Sequence, residues 1–590
     1  MGSRQRRRYH GGCAAPGVAP GATACLAAAL LLLMLAFHCV LSPPLGDGDP
    51  PRPQSPTSVQ SNNLGELRRN VLAADTNAYA SNVLGGGSKM GEELWGSGAV
   101  HDFYACSNAS NEFAGAEVNT ESNRYLMIEA SGGLNQQRTG IIDAVVVAHI
   151  LKATLVIPKL DQKSFWEDSS DFTDIFDADY FISSLSKDVK IIQKLPDMIS
   201  KTSFPYKIRV PRKCTPLCYE NRVLPALLRK NVSPMVSGFY ADHVSSVSVV
   251  QLTKFDYRVS NRLETYLQKL RCRVNYHALR FTDTINKMGE ILVQRMREKS
   301  GGRFIALHLR FEADMLAFSG CYFGGGETER RELGTIRKRW KTLHEANPDR
   351  ERRHGKCPLT PEEVGLMLRA LGFGRGVHMY VASGEVYGGE ETLAPLKALF
   401  PNFHSKETLA SKEELEPFLP FSARMAALDF IVCDQSNVFV TNNNGNMARM
   451  LAGRRIYFGH KRTIRPNTRK LYSLLLNRTS MSWDTFASKV QTFQKGFMGE
   501  PNEVEPGRGG FYEYPLDCIC QKTKVRAGHT IDHLRKNANI MENHLTDREG
   551  SDVDFVENTA LPTGSSNETE SEYSHGNGLD IPEIDDMISD

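Results

Sequence analysis

The chain has 590 residues, of which 41% are hydrophobic and 24% are charged. These proportions exclude a fully disordered, a fibrous or a polytopic membrane protein, and the length predicts more than one domain. The net charge of +3 conceals a segregation, because residues 541–590 hold fourteen acidic side chains and one basic one, Arg548. Residues 1–540 therefore carry a net charge of +16, and the tail carries −13.

The N-terminus predicts a membrane anchor. Four arginines within the arm 1–21 precede an apolar run at 22–41 without Asp, Glu, Lys or Arg. Twenty helical residues span about 30 Å, the thickness of the hydrocarbon core of a bilayer. The run is longer than the apolar core of a cleavable signal peptide, about 7–15 residues, so we expect a signal anchor. The basic arm then lies in the cytosol and the rest of the chain in a lumen, a single-pass type II arrangement.

Residues 42–121 are rich in Pro, Gly, Ser and Asn and are expected to form a flexible stem. Four glycosylation sequons fit a luminal location, at Asn108, Asn231, Asn477 and Asn567. The nine cysteines beyond the anchor permit disulfides and leave at least one free thiol or one intermolecular bond, but spacing does not give the pairing. A zinc site on Cys214 and Cys218 is an alternative for which no matching Cys or His pair lies nearby.

Strands and helices alternate from residue 122 onward. Strand 125–130, loop 131–135, helix 141–151 and strand 154–157 predict a βαβ unit. A second block has strands at 303–309, 377–382, 437–441 and 455–458 and helices at 361–371, 421–433 and 445–452. This alternation predicts an α/β fold with parallel sheets covered by helices. We expect Rossmann-like domains at 122–300 and 301–500, and an extension at 501–590 that is disordered from about 541.

Polar side chains follow the predicted strand 303–309, at the strand end where parallel sheets bind ligands. Arg310 offers a planar fork of donors that suits a diphosphate. The structural alternative is a local ion pair that caps the strand, because Glu312 and Asp314 are within reach.

Two further motifs lie between a predicted strand and a helix. Gly132-Gly-Leu-Asn-Gln-Gln-Arg138 combines glycines that allow close backbone approach with a helix N-terminus that offers N–H groups. A turn that requires glycine explains the glycines equally well, but not the polar residues that follow. Thr441-Asn-Asn-Asn-Gly-Asn446 places amides before a helix, where they either bind phosphate or ribose or cap the helix. Asp177-Ala-Asp179 has the spacing of a manganese-binding pair, but we interpret it as a surface turn and predict no metal site.

Together, these motifs resemble the plant-type O-fucosyltransferase-like glycosyltransferases, relatives of the GDP-fucose protein O-fucosyltransferases. The resemblance covers roughly residues 122–495, and its motifs are Gly132 to Arg138, His308-Leu-Arg310, and 442–448 followed by the basic stretch 460–466. It implies a GT-B fold whose second domain holds most of the nucleotide sugar in an inter-domain cleft. It also implies an inverting transfer without a metal or another cofactor.

The resemblance also implies roles for single residues. Arg310 and Asn135 are the expected catalytic residues, Arg310 at the departing diphosphate and Asn135 near the acceptor hydroxyl. The expected donor-binding residues are Gly132, Gly133, His308, Leu309, Arg310, Asp429 at the nucleoside, and Gly445 and Asn446 at the phosphate. Some animal relatives have a glutamate as general base at the position of Gly132, so the base here stays open among Asp143, Glu312 and Asp314.

The expected function is that of a Golgi enzyme that transfers fucose from GDP-fucose to a hydroxyl of a protein or glycan. Two alternatives stay open. The same fold can use UDP-rhamnose or another deoxysugar donor to build pectin, or it can belong to a non-catalytic carbohydrate-binding relative. Nucleic-acid binding is not expected, because the basic surplus lies in a luminal body without a stacking motif.

Overall fold

The structure, a computed structural model, describes residues 93–96, 98–110, 113–163, 168–202, 204–228, 247–340, 343, 347–442, 445–503 and 510–522. The predicted cytosolic arm, the anchor at 22–41, most of the stem, the sequons at Asn231 and Asn567 and the acidic tail lie outside these residues. Among the residues described, no helix is both long and apolar enough to cross a bilayer.

The strands of the described chain are numbered in sequence order. They are β1 (Phe103–Ala105), β2 (Arg124–Ala130), β3 (Thr154–Val156), β4 (Ile191–Ile192), β5 (Tyr206–Ile208), β6 (Ser248–Phe255), β7 (Phe304–His308), β8 (His378–Ala382), β9 (Phe403–His404), β10 (Val438–Thr441), β11 (Thr463–Ile464) and β12 (Ile519–Gln521).

The helices vary from a single turn to five turns. Those before β7 are Ala116–Asn119, Leu134–Ile150, Phe172–Ile175, Ala178–Ser184, Asp197–Thr202, Pro216–Arg222, Leu224–Leu227, Thr265–Cys272, a π-helical segment Arg273–Ala278, and Asp283–Ser300. Those after β7 are Ala313–Ser319, Gly326–Arg337, Pro348–Arg353, Pro361–Leu371, Gly389–Leu399, Lys406–Leu409, Lys412–Leu415, Ser422–Gln435, Asn446–Tyr457, Thr468–Leu476 and Trp483–Phe493. Short 3-10 segments lie at Gly98–Asp102, Arg478–Ser480, Pro501–Glu503 and Leu516–Cys518.

Two five-stranded sheets form the framework, and every described strand pair in them is parallel. The first has the order β4-β3-β2-β6-β5 and the second β11-β10-β7-β8-β9. In each sheet the chain starts at a central strand, moves to one edge and then returns to the other side. The strand order therefore reverses between β2 and β6 and again between β7 and β10, and such switch points are where open parallel sheets bind ligands.

The α/β class and the parallel sheets are confirmed, and the predicted strands at 125–130, 154–157, 303–309, 377–382 and 437–441 recur with ends shifted by one residue at most. The predicted strand at 455–458 is wrong, because the helix Asn446–Tyr457 continues through it. Its buried Arg455 donates from Nη1 to the carbonyls of Cys433, Asp434 and Ser436 at 3.0, 2.9 and 2.9 Å, which caps the C-terminal end of the helix Ser422–Gln435.

Helices join the two sheets through a common core. One buried cluster extends from Leu126 and Val250 of the first sheet to Phe304 and Tyr380 of the second, through apolar residues of the intervening helices. A second cluster covers the opposite face of the second sheet. Both faces of β7 are therefore buried, as its uniformly apolar sequence up to His308 requires.

Parts of the predicted stem and of the C-terminal extension are ordered. Strand β1 pairs antiparallel with β12, and disulfides join Cys106 to Cys520 and Cys272 to Cys518. We call residues 510–522 the C-terminal strap. Residues 103–106 of the predicted stem are therefore not flexible, since strand pairing and a covalent bond hold them. The zinc alternative is also wrong, because Cys214 and Cys218 form a disulfide.

Candidate active site

The switch point of the second sheet brings Arg310 and Asn442 together. Arg310 follows the end of β7 and Asn442 follows the end of β10, in adjacent parallel strands. The Asn442 side chain accepts the backbone N–H of Arg310 at 2.8 Å and donates to the carbonyls of Arg310 and Leu359 at 3.3 and 3.2 Å. The backbone at Arg310 is thus fixed where a ligand of this sheet would lie. Sequence reasoning treated Asn442 only as part of an amide run, and its position directly after a buried strand was the available signal.

Two carboxylates hold the guanidinium of Arg310. Its Nη1 lies 2.7 Å from Glu312 Oε2, and its Nη2 lies 3.6 Å from Asp314 Oδ2. The other oxygen of Glu312 accepts the backbone N–H of Gly384, which follows β8, at 3.0 Å. The local ion pair considered from the sequence is therefore present. It leaves Arg310 only 3% exposed, so a nearly dehydrated positive charge lies at the switch point.

His308, the last residue of β7, is neutral in this environment. Its side chain is buried, and Nδ1 has no hydrogen-bond partner among the described residues. Burial, reinforced by the positive charges of Arg310 and Lys406, lowers the pKa of His308 to about 3. The next residue, Leu309, is fully buried in the core of the second sheet, and its N–H donates to Ala382 O at 2.9 Å. Its side chain therefore belongs to the core, and its expected part in donor binding stays a prediction.

Asp429 lies in a buried ion pair. Lys406 Nζ is 2.7 Å from one carboxylate oxygen, and the hydroxyl of Tyr380 donates to the other at 2.6 Å. Lys406 also donates to the carbonyl of Ser383, the residue after β8, at 3.1 Å. Burial and the adjacent carboxylate raise the pKa of Tyr380 well above its usual value, so its hydroxyl remains a donor. Asp429 is 6% exposed, and its predicted contact with the nucleoside requires an approach to this network. Lys406 carried no recognisable sequence signal.

Gly445 and Asn446 begin the helix that follows β10. Gly445 is the N-cap residue and Asn446 is the first helical residue, so both lie where helix N–H groups favour an anion. The Asn446 side chain reaches the first sheet, because its Oδ1 accepts the hydroxyl of Tyr257 at 2.7 Å. Tyr257 follows β6, which ends at the other switch point. One hydrogen bond therefore connects the ligand-binding ends of the two sheets.

The glycine motif lies at the switch point of the first sheet. Gly132 has a φ of +86°, and an added Cβ would come within 2.1 Å of the side chain of Gln136. Gly133 is the N-cap residue of the helix Leu134–Ile150 at a φ of −69° and needs no left-handed conformation. The turn interpretation therefore explains Gly132 but not Gly133. Gly132 also donates its N–H to Asp161 Oδ2 at 3.2 Å.

Asn135 is fully buried at the start of the same helix. Its Oδ1 accepts from Arg138 Nη1 at 3.4 Å, and its Nδ2 has no partner among the described residues. The Arg138 guanidinium lies 4.1 Å from the ring centroid of Phe430, in a helix that packs on the second sheet. The predicted pair of Asn135 and Arg310 thus lies at two separate switch points, each at the carboxyl end of a central strand.

Asp256, which sequence reasoning missed, directly follows β6. Gln136 Nε2 donates to its Oδ2, Arg212 Nη2 lies 2.8 Å from the same oxygen, and Arg258 Nη2 lies 3.2 Å from Oδ1. These contacts orient Gln136 of the glycine motif and fix the backbone just before Tyr257. A recognised strand at 248–255 would have placed Asp256 at the switch point.

The candidates for the general base differ sharply in accessibility. Asp143 has no exposed surface, and its Oδ1 lies 2.8 Å from Arg271 Nη2 and 2.7 Å from the hydroxyl of Tyr512. Asp143 therefore cannot meet a substrate, and its candidacy was wrong. The side chains of Glu312 and Asp314 keep 15% and 16% of their surface exposed beside Arg310.

Asp177-Ala-Asp179 belongs to a helix start. Asp177 caps the helix Ala178–Ser184 by accepting the N–H of Tyr180 at 2.9 Å, and Asp179 accepts from Gln193 at 2.9 Å. Within the described ranges, no three His, Cys, Asp or Glu side chains group as a metal site.

A cavity of about 750 Å³ lies away from these residues. It is lined by the C-terminal parts of the helices Ser422–Gln435 and Asn446–Tyr457, by the helix Asp283–Ser300 and by residues 276–281. The first two helices end near the amino ends of the strands, whereas the predicted donor site lies at the carboxyl ends. Of the predicted motifs, only Arg138 reaches this cavity.

Comparison with known proteins identifies clear relatives. The sequence profile described as "GDP-fucose protein O-fucosyltransferase" matches residues 125–458. O-fucosyltransferase 6 of Arabidopsis thaliana is 54% identical over 571 residues, which cover 96% of each chain. O-fucosyltransferase 29 of the same plant is 59% identical over 432 residues, which cover 73% of this chain and 75% of the relative. The crystal structure of POFUT1 in complex with GDP is 13% identical with a TM-score of 0.34, and the match covers 59% of this chain and 99% of that chain.

Proposed function

Because the chain belongs to the GDP-fucose protein O-fucosyltransferase family, we propose that it transfers fucose from GDP-fucose to a hydroxyl of a protein or glycan acceptor. It is a glycosyltransferase, as its relatives named O-fucosyltransferases are. The proposal includes a GT-B arrangement, in which the donor binds at the carboxyl end of the second sheet and the acceptor approaches from the first.

The position of Arg310 carries the proposal. A buried guanidinium at the switch point of a parallel sheet matches a diphosphate in hydrogen-bond geometry, and Glu312 and Asp314 balance its charge while no ligand is bound. Asn442 fixes its backbone, and the start of the helix Asn446–Tyr457 adds N–H groups on the adjacent strand end. The neutral His308 beside it adds a polar group without adding charge.

The proposed chemistry is a single displacement with inversion. The bond from the anomeric carbon to the β-phosphate oxygen breaks, and its electron pair stays on the departing GDP, next to Arg310. The acceptor oxygen forms the new bond from the opposite face of the sugar, and its proton passes to solvent water. Arg310 stabilises the charge that develops on the diphosphate, and the first sheet positions the acceptor hydroxyl. The partly exposed Glu312 and Asp314 lie beside Arg310, on the side of the departing diphosphate, where they hold the guanidinium.

We further propose that the reaction needs no metal and takes place in the Golgi lumen. The first point is supported by Arg310, which supplies the positive charge that a metal ion would otherwise bring to the diphosphate, and by the capping role of Asp177. The second is supported by the predicted anchor at 22–41 behind a basic arm.

The test compares Arg310→Ala and Arg310→Lys with the wild-type full-length protein in detergent. Arg310→Ala is expected to lower kcat about 10²- to 10³-fold, as for other groups that stabilise a transition-state charge. Arg310→Lys keeps the charge but loses the fork and should recover only part of the rate. The control is Arg330→Ala, whose side chain is 62% exposed on a surface helix. Release of GDP from GDP-fucose measures turnover, and near-normal turnover in a folded Arg310→Ala protein would refute the mechanism.

The nucleotide is tested separately by thermal shift. A ligand that binds only the folded state raises the unfolding temperature, so GDP should stabilise the wild type and UDP should not. Stabilisation by UDP alone would replace GDP-fucose with a uridine donor such as UDP-rhamnose. Stabilisation by GDP without turnover on any acceptor, and without donor hydrolysis, would favour a non-catalytic carbohydrate-binding relative.

A further inference from the structure

Tyr512 of the C-terminal strap is buried against the helix that carries the glycine motif. Its hydroxyl lies 2.7 Å from Asp143 Oδ1 and 3.1 Å from the carbonyl of Thr139, both in the helix Leu134–Ile150. Burial and the adjacent Asp143 raise the pKa of Tyr512 well above its usual value, so the hydroxyl stays a donor. The strap is therefore fixed to the first sheet by a specific polar contact.

The backbone of Tyr512 also contacts the helix Asn446–Tyr457 of the second sheet. A Cβ at Gly453 would come within 2.1 Å of the Tyr512 carbonyl oxygen, so only glycine allows this approach. The disulfide from Cys518 to Cys272 holds the strap in place six residues further on. Tyr512 thus contacts the helices that start at both switch points.

The ring of Tyr512 supports Tyr257. The two rings meet edge to face, with centroids 5.6 Å apart and planes at 89°. Tyr257 has a φ of +41°, an unfavourable backbone conformation for a tyrosine that persists only where neighbouring groups hold it. From this position the Tyr257 hydroxyl donates to Asn446 Oδ1 at 2.7 Å.

The hydrogen bond from Tyr257 holds the Asn446 amide with its oxygen toward the first sheet. An amide presents an acceptor oxygen on one side and a donor nitrogen on the other. Because Oδ1 accepts from Tyr257, the nitrogen takes the opposite side, and a phosphate oxygen requires a donor. A reversed amide would place its oxygen against a phosphate oxygen, and two acceptors repel each other.

We propose that Tyr512 is a positioning residue for the donor site, which acts through Tyr257 to fix Asn446 at the start of its helix. The inference rests on the proposed function, because it takes Asn446 to be a contact of the donor diphosphate. It gives the C-terminal strap a role in donor binding, although the strap follows the second sheet in sequence.

The test uses four single variants of the full-length protein and the double variant of Tyr257→Phe with Tyr512→Leu. Tyr257→Phe removes the hydroxyl that binds Asn446, and Tyr512→Leu removes the supporting ring. Tyr512→Phe keeps the ring and loses only the hydroxyl contacts with Asp143 and with the carbonyl of Thr139. The matched control, Tyr457→Phe, removes a hydroxyl from the last residue of the helix Asn446–Tyr457, where the hydroxyl contacts Ser107 and His277.

Two readouts separate positioning from a merely structural role. The first is the Kd for GDP and for UDP by titration calorimetry, with the unfolding temperature measured alongside. The second is deuterium uptake of residues 445–452 in the nucleotide-free protein, where the N–H of Arg449 donates to Gly445 O at 3.1 Å.

Tyr257→Phe and Tyr512→Leu are each expected to weaken nucleotide binding about 5- to 10-fold, the effect of one hydrogen bond, and to speed deuterium uptake at 445–452. The double variant should bind the nucleotide at least as tightly as the single variant with the higher Kd. Tyr457→Phe should stay within about twofold of the wild type, a loss of well under one hydrogen bond. Tyr512→Phe keeps the ring that supports Tyr257, so its Kd should lie between those of the wild type and Tyr512→Leu. A Tyr512→Leu protein that melts earlier but keeps the wild-type Kd and uptake would overturn the inference. If the wild type binds neither nucleotide, the proposed function fails, and the uptake data still decide whether Tyr512 orders the helix start.

Discussion

The Asn442 side chain accepts the backbone N–H of Arg310 at 2.8 Å and donates back to the carbonyl of the same residue. The Asn442 side chain thus provides the acceptor and the donor that the backbone of a neighbouring strand would provide, at the point where β7 and β10 stop pairing. The buried backbone groups of Arg310 stay satisfied, although the sheet has ended and the chain turns into the site.

Asn442→Ala removes these bonds together. It leaves the buried N–H of Arg310 without its acceptor, so we expect a loss of about 1–3 kcal/mol in the free energy of unfolding and a lower kcat. Urea unfolding and turnover measure the two effects. Asn442→Asp is the comparison variant, because it can still accept from Arg310 but cannot donate to the carbonyls of Arg310 and Leu359. An alanine variant as stable as the wild type would show that the amide does not support this backbone.

Lys406→Met should be among the most destabilising single changes at the site. It leaves the buried Asp429 without its counter-charge, and breaking a buried pair in this way costs about 3–5 kcal/mol. The double variant Lys406→Met with Asp429→Asn removes both charges and keeps an acceptor for Tyr380. It should therefore be more stable than Lys406→Met alone in urea unfolding. Equal losses in the single and double variants would mean that the pair contributes packing rather than charge compensation.

His308 gives the protein a defined sensitivity to acid. Its pKa is about 3 in the folded chain and near 6.5 when unfolded, so the unfolded state alone binds a proton between these values. Stability must therefore fall as the pH drops below 6.5, by up to about 1.4 kcal/mol per pH unit. Between pH 7.5 and 5.0 the wild type should lose about 2 kcal/mol more than His308→Asn. Urea unfolding of both proteins at the two pH values measures this difference, and parallel losses would contradict a neutral buried imidazole.

The cysteine pairing can be checked directly. Mass spectrometry of unreduced peptides should recover the pairs 106–520, 214–218, 272–518 and 321–357. Cys433, the free thiol of the described chain, is fully buried and should react with iodoacetamide only after unfolding. Rapid labelling of Cys433 in the native protein would contradict its place in the core.

Local pattern predicted five strands of the two sheets and missed the others, among them β6. The strands before Arg310 and Asn442 are short apolar runs bounded by polar residues, and they were predicted to within one residue. The run Ile456-Tyr-Phe458 looks the same in sequence but forms the end of a helix and its C-cap, where Arg455 binds carbonyls of a preceding helix end. Short apolar runs do not distinguish strand from helix, and the contact that decides here is tertiary.

The sequence predicted where the site residues lie in the fold but not which residues they contact. The motifs placed Arg310, Asn446 and Gly132 at strand ends, which the sheet order turns into switch points. The partners of Asp429 and Tyr257 come from distant parts of the chain, and no local spacing encodes them. Leu309 shows the limit of a motif, because it lies beside Arg310 in sequence while its side chain packs in the core.

The bond between Cys106 and Cys520 has a mechanical consequence. It closes a covalent ring over a separation of 414 residues, and both sheets lie within that ring. A force applied to the chain before residue 106 is transmitted through this disulfide to residue 520. Tension between the two ends of the chain therefore does not act on β2 to β11. A protease cut anywhere inside the ring would likewise leave both fragments attached, and an unreduced gel would show a single band.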